Sequence, residues 1–146
     1  MVLALIKSRK PEIVIIAALW KPFVMDGLET TLGLLAQNDI SIVVLGNTPV
    51  FQESVPSYLS RLADKDIKVS DRSAAEAARQ ALLQTKKVGN VRYISLQGVT
   101  CPAGRCAIAD KSGRPYYFDE GHLTQDGSRW IAGKIVSDIL ATRPRS

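Results

Sequence analysis

A chain of 146 residues that is 46% hydrophobic and 23% charged has the make-up of one globular domain, long enough to bury roughly two thirds of its unfolded surface. Its longest strongly apolar run, Ile13 to Trp20, is eight residues, far below the roughly 20 that a membrane-crossing helix needs. The net charge of +5 raises the question of anionic partners, but the basic residues sit in small scattered groups (Lys7 with Arg9 and Lys10, Lys86 with Lys87, Arg143 with Arg145) with no interleaved aromatics to stack on bases, so no nucleic-acid surface is expected.

The opening "MVLALIKSRK" places apolar residues before charges, the reverse of a signal peptide, and offers no small-residue cleavage site. Export, if it occurs, is directed from upstream. "EIVIIAALW" is a nearly continuous β-branched run and reads as a parallel strand buried on both faces, ended by Lys21 and Pro22. Asp26 and Glu29 resemble a capping box, after which Leu28, Leu32 and Leu35 recur along one helical face. "DISIVVLGNTP" predicts a second buried strand closed by a Gly-Asn-Thr-Pro turn. A helix starting near Pro56 is expected to bury Tyr58, Leu59 and Leu62. Ser73 and Glu76 form a second capping box ahead of "AAEAARQALLQTKK", with Gly89 placed for a left-handed cap. "VRYISL" predicts a third strand. Alternating helices and buried strands make an α/β layered sheet.

The next segment, "QGVTCPAGRCAIADKSGRPYYF", reads as an irregular excursion with a small hairpin at Lys-Ser-Gly rather than as a helix. Cys101 and Cys106 lie close enough for their loop to close on itself. A disulfide there is worth about 2 kcal/mol by loop entropy and implies an oxidising compartment; two unpaired thiols, or a metal site built from these sulfurs and His122, are the competing readings. Thr124 is placed to cap a last helix carrying Trp130, Ile131, Ile135, Ile139 and Leu140.

His122, the one histidine of the chain, falls on a loop at the mouth of that helix, three residues after Asp119. A catalytic base needs an exposed ring tip and an acidic partner on its other nitrogen, and Asp119 can supply that partner locally. By spacing alone a structural histidine is the plainer reading.

The block "YYFDEGHLTQDGSRWIAGKIV" resembles the close of SGNH hydrolases, specifically the SGNH domain fused behind membrane acyltransferases that O-acetylate surface polysaccharides. In that group an Asp-x-x-His-Leu-Ser/Thr run precedes the last helix and a Gly, here Gly127, follows in its first turn. "KPEIVIIAALW" resembles the group's strand ending in tryptophan, "VVLGNTPVF" its next strand, and Cys101 with Cys106 a cysteine pair common ahead of the final block. The resemblance implies a three-layer flavodoxin-like (SGNH) parallel sheet with flanking helices. It implies that Asp119 orients His122, that His122 serves a serine as general base and then general acid, and that no cofactor or metal is needed. Trp20, Asn47 and Thr48, at strand ends, are expected to line the substrate cleft.

The same likeness exposes a gap. The family's nucleophile sits in a Gly-Asp-Ser motif after its first strand, and this sequence contains no Gly-Asp-Ser. The family's oxyanion block, often Gly-x-Asn-Asp, is replaced by Ala17-Ala18-Leu19-Trp20. Residues 1–146 are thus expected to form a single SGNH-like domain, partial at its N-terminal side, with the first strands missing and the "EIVIIAA" strand left at an edge open to self-association. Ser54 and Ser128 are poor substitutes as nucleophiles, lacking a Gly-rich strand-to-helix turn. The expected function is O-acyl transfer to cell-envelope carbohydrate, on the periplasmic or other extracytoplasmic face, as the C-terminal portion of a membrane acyltransferase that provides the acyl donor. The alternative is a non-catalytic SGNH-like module that binds carbohydrate or a partner. A phosphate-binding flavodoxin-like domain is disfavoured, because no Gly-rich loop follows any strand.

Overall fold

The computed structural model describes residues 2–20, 22–36, 40–61, 67–71, 73 and 90–142. Its elements run α1 (Val2–Arg9), β1 (Ile13–Ala17), α2 (Pro22–Ala36), β2 (Ser41–Leu45), α3 (Val55–Ser60), β3 (Val91–Ile94), α4 (Leu96–Thr100), a 3-10 turn (Pro102–Gly104) and α5 (Gln125–Leu140). Among the described residues the strands form one parallel sheet of order β1-β2-β3. Ile13 pairs with Ser41 at one end and Ala17 with Leu45 at the other, while Ile42 to Leu45 face Val91 to Ile94.

Successive strand residues point to opposite faces, so a run buried on both faces must be apolar throughout. β2 meets that condition. Ile42 and Val44 pack with Trp20, Leu28, Leu32 and Leu35 on the α2 side, whereas Val43 packs with Ile94, Ile131 and Ile135 on the α5 side. The result is helix, sheet, helix in three layers. A further cluster of Phe51, Val55, Ile67, Tyr116 and Tyr117 extends from the sheet, with the Tyr117 ring edge-on to Phe51 and Tyr116 stacked on Trp130. Among the described residues no helix is long and apolar enough to cross a membrane.

Several expectations need correction. β1 is not buried on both faces: among the described residues it pairs with β2 alone, and Ile15 is 50% exposed. Apolarity marks a strand, but its lateral place in the sheet decides how much is covered. Pro22 opens α2 instead of merely ending β1, which stops at Ala17; proline suits a first helical turn because its missing N–H is not needed there. Residue 26 therefore lies inside the helix and is not its cap. The third strand ends at Ile94, since the Ser95 side chain caps α4 by accepting from Gly98 N, so part of the supposed irregular segment is helical. Leu140 is 46% exposed at the end of α5. Leu62, the helix after Ser73, Glu76 and Gly89 lie outside the described residues; Ser73 itself accepts a hydrogen bond from Val50 N at 2.9 Å.

The hairpin forms as expected, with Ala109 bridged antiparallel to Pro115 and Gly113 at φ 82° in the turn. Asp110 binds Ser112 and the Arg114 side chain, which holds its carboxyl far below the usual range. Arg114 also reaches Asp126 in the first turn of α5.

Cys101 and Cys106 are joined in a disulfide that closes the 3-10 turn between α4 and the Tyr117 cluster, against which Cys106 packs. Replacing both by serine is expected to cost about 2 kcal/mol on the loop-entropy relation. A thermal melt should fall by about 5 °C. The Asp119–His122 pair, held by other contacts described below, should keep its NMR signature.

Candidate active site

The site is built from three strand ends and one turn. β1 runs into Ala17, Ala18 and Leu19; β2 into Gly46, Asn47 and Thr48; β3 into Leu96. These border a cleft of about 530 Å³, closed on its other side by Val50 and the turn Glu120-Gly121-His122. Clefts beyond the carboxyl ends of parallel strands are where open α/β sheets bind ligands, because the loops there diverge.

The turn carrying the histidine is a local invention of Asp119. One carboxylate oxygen accepts the backbone N–H groups of Gly121 at 2.8 Å and His122 at 2.7 Å, the arrangement by which aspartate stabilises tight turns. The other oxygen lies 2.7 Å from His122 Nδ1. The Gly121 amide first, then the His122 amide and ring, hold the Asp119 carboxyl down at about 2. Hydrogen bonds made to a charged form stabilise that form. Nδ1 is thus engaged, and Nε2 is left on the outer side of a ring that is 76% exposed and stacked at 16° on Phe118.

Three consecutive carbonyls of this turn are pinned by the loop after β2 and the first residue of α3. Val55 N donates to Asp119 O at 3.1 Å, Phe51 N to Glu120 O at 2.7 Å, and Thr48 Oγ1 to Gly121 O at 3.3 Å. Phe118 N closes the turn on His122 O. The turn that carries the imidazole is thus fixed through its backbone by bonds from Val55, Phe51, Thr48 and Phe118.

Asn47 ties the opposite wall. Its Oδ1 accepts from Trp20 N at 2.9 Å and its Nδ2 donates to Trp20 O at 3.2 Å, so the amide ties the two segments together beyond the ends of β1 and β2. Trp20 is not a cleft residue, contrary to expectation: its ring is 4% exposed, packed under α2, with Nε1 donating to Leu45 O. Burial favours the ring where a carbonyl can take its N–H. Asn47→Asp keeps an acceptor for Trp20 N but sets a carboxylate against Trp20 O. It is expected to cost about 1–3 kcal/mol and to speed hydrogen exchange at the Trp20 amide, whereas a purely surface role for Asn47 would leave exchange there unchanged.

Asn47, Thr48 and His122 therefore meet at one cleft, Asp119 stands behind His122, and Trp20 lies beneath. Cys101 borders a separate cavity of about 940 Å³. Neither Ser54 nor Ser128 is among the cleft's lining residues. Sequence reasoning missed Gly46, Val50, Leu96, Glu120 and Gly121 as lining; of these, Glu120 and Gly121, inside the Asp-to-His spacing, carried a signal. Among the described residues no group of three His, Cys, Asp or Glu side chains gathers to hold a metal ion.

No curated protein sequence matches the chain significantly. Among solved structures it is similar to the periplasmic domain of a lipopolysaccharide acetyltransferase from Salmonella ser. Paratyphi A, with a TM-score of 0.76 and 20% identity over 94% of this chain and 60% of that one. At that identity the likeness speaks for the fold. The chain spans 60% of that neighbour's length. The family described as "SGNH domain (fused to AT3 domains)" matches residues 1–137, nearly the whole chain, and this protein belongs to it.

Proposed function

We propose that the chain carries the histidine and aspartate of an SGNH-type O-acyltransferase site, with the nucleophilic serine in a segment N-terminal to it. The observation that carries this reading is the 2.7 Å Asp119–His122 pair, set at the cleft beyond the strand ends with its outer nitrogen exposed. A serine brought to Nε2 gives its proton to the imidazole as its oxygen bonds to the acyl carbon. The donor's departing group takes that proton, leaving an acyl-serine. An acceptor hydroxyl then gives its proton to Nε2, attacks the acyl carbon, and the serine oxygen leaves with the proton returned by His122.

Family membership supports an acyltransferase setting. In this reading the acceptor is cell-envelope carbohydrate, the acyl donor arrives through a membrane acyltransferase domain, and the site works outside the cytoplasm, where the Cys101–Cys106 disulfide persists. The exposed edge of β1 receives the preceding strand of the domain, or a second chain where that strand is lacking.

A fluorophosphonate probe tests the reading. The protein including its upstream segment is expected to label at one serine outside residues 1–146, and His122→Ala is expected to abolish labelling. Labelling within residues 1–146 overturns the placement of the nucleophile. No labelling in any form leaves the second reading, a non-catalytic carbohydrate- or partner-binding module, which the lack of Gly-Asp-Ser in this sequence favours.

A further inference from the structure

The polar side chains around the cleft differ in how they are engaged. Asn47 is paired with both backbone groups of Trp20, Thr48 donates to Gly121 O, and His122 Nδ1 faces Asp119. Glu120 is the exception. Its backbone carbonyl is fixed by Phe51 N and its side chain borders the cleft, yet among the described residues its carboxylate has no hydrogen-bond or ion-pair partner. Among the described residues that border the cleft, it is a charged side-chain group left open to a ligand, beside the outer nitrogen of His122.

We infer that Glu120 is a specificity-determining residue that binds hydroxyls of an uncharged sugar beside the hydroxyl served by His122, and that it turns away sugars carrying a carboxylate or phosphate at that place. The inference rests on the cleft being the acceptor site of the proposed function. An ionised carboxylate accepts hydrogen bonds and donates none. A ligand rich in O–H groups satisfies it through charge-assisted bonds, and two neighbouring hydroxyls can bind its two oxygens together. An anionic sugar brings a like charge to that place, through a carboxylate or phosphate group that itself supplies no donor. Selection against anions has to be local, because the chain as a whole is at +5 and its long-range field attracts them. The geometry adds a second reason: Phe51 N anchors the Glu120 backbone, so the side chain starts from the same pinned turn as the imidazole and its carboxylate stays within reach of the same part of the cleft.

The test uses a matched pair of probes, methyl β-glucoside and methyl β-glucuronide, which differ by one carboxylate. Binding to the 146-residue chain is followed by the amide shifts of Gly121 and His122. The glucoside is expected to bind about tenfold more tightly than the glucuronide, Glu120→Gln to bring the two within about twofold, and Glu120→Lys to reverse the order. The preference is a ratio within each variant, so a general loss of affinity cancels. No shift with the glucoside, or a ratio in Glu120→Gln equal to that of the wild type, overturns the inference. Its failure alongside His122-dependent fluorophosphonate labelling removes Glu120 alone. A preference that holds while labelling is absent keeps the sugar site and removes the acyl-transfer reading.

Discussion

Gly127→Ala is expected to destabilise the protein by about 3–5 kcal/mol and to lower its melting temperature by about 10 °C, although the change adds one methyl group. A Cβ at Gly127 would lie 2.0 Å from Tyr116 O, 2.8 Å from Tyr116 C and 3.0 Å from Tyr116 Cα. All three are backbone atoms that no rotamer change can move. Tyr116 is fixed in its turn by Tyr116 N to Ile108 O and Thr124 N to Tyr116 O, and Thr124 both caps the helix through Gly127 N and donates to Pro115 O. The methyl therefore forces the first turn of α5 away from residues 115 and 116. The segment between, residues 117–123, contains Asp119 and His122, so the same variant should also disturb their contact. Gly133→Ala in the same helix is the control: nothing lies within 4 Å of its added Cβ, and it should be neutral or stabilising by up to about 1 kcal/mol through helix propensity. Equal melting temperatures for the two variants would mean that the close approach at Tyr116 does not exist in solution.

That glycine shows what the sequence discloses and what it conceals. Its place in the first turn of the last helix is legible, from the resemblance and from the Thr124 cap. The reason for it is not, because Tyr116 precedes the turn and meets the helix only after folding. The same division runs through the site. Asp119 and His122 can be read together because their contact spans three residues and closes within one turn. Thr48 and Gly121 are 73 residues apart, and the backbone bonds of Phe51 and Val55 to that turn leave no trace in residue type. β2 is recognisable because a centre strand has to be apolar on both faces. β1 carries the same composition yet lies at an edge, since strand order is a property of pairing. Trp20 at a strand end suggests a ligand-facing ring, but packing with Leu28, Leu32 and Leu35 and a bond to the carbonyl of Leu45 turn it inward.

On the proposed function, in a protein that carries the nucleophilic serine, Asp119→Asn is expected to lower kcat by about 10²–10⁴-fold with KM little changed and the fold intact. Asparagine can keep an oxygen on the Gly121 and His122 amides, so the turn survives. Its other terminal atom is then an N–H₂ group facing His122 Nδ1, which must accept, and the ring proton moves to Nε2. A histidine protonated on that side cannot take the serine's proton. The loss is therefore one of tautomer and not of structure, and melting temperature and kcat should separate. His122→Ala should lose activity at least as deeply while leaving the melt nearly unchanged, since the ring is 76% exposed.

The pH behaviour follows from the Asp119 value of about 2. A carboxyl whose folded value lies below its unfolded one, near 3.9, contributes stability that is fully present above about pH 4 and is lost as pH falls through about 2. Asp119 stays charged throughout the range above pH 4, so an acid limb in the rate there is not its titration, and Asp119→Asn should scale the profile down without moving that limb. A variant with kcat within threefold of the wild type would show that the 2.7 Å pair shapes the turn and does not set the histidine's proton.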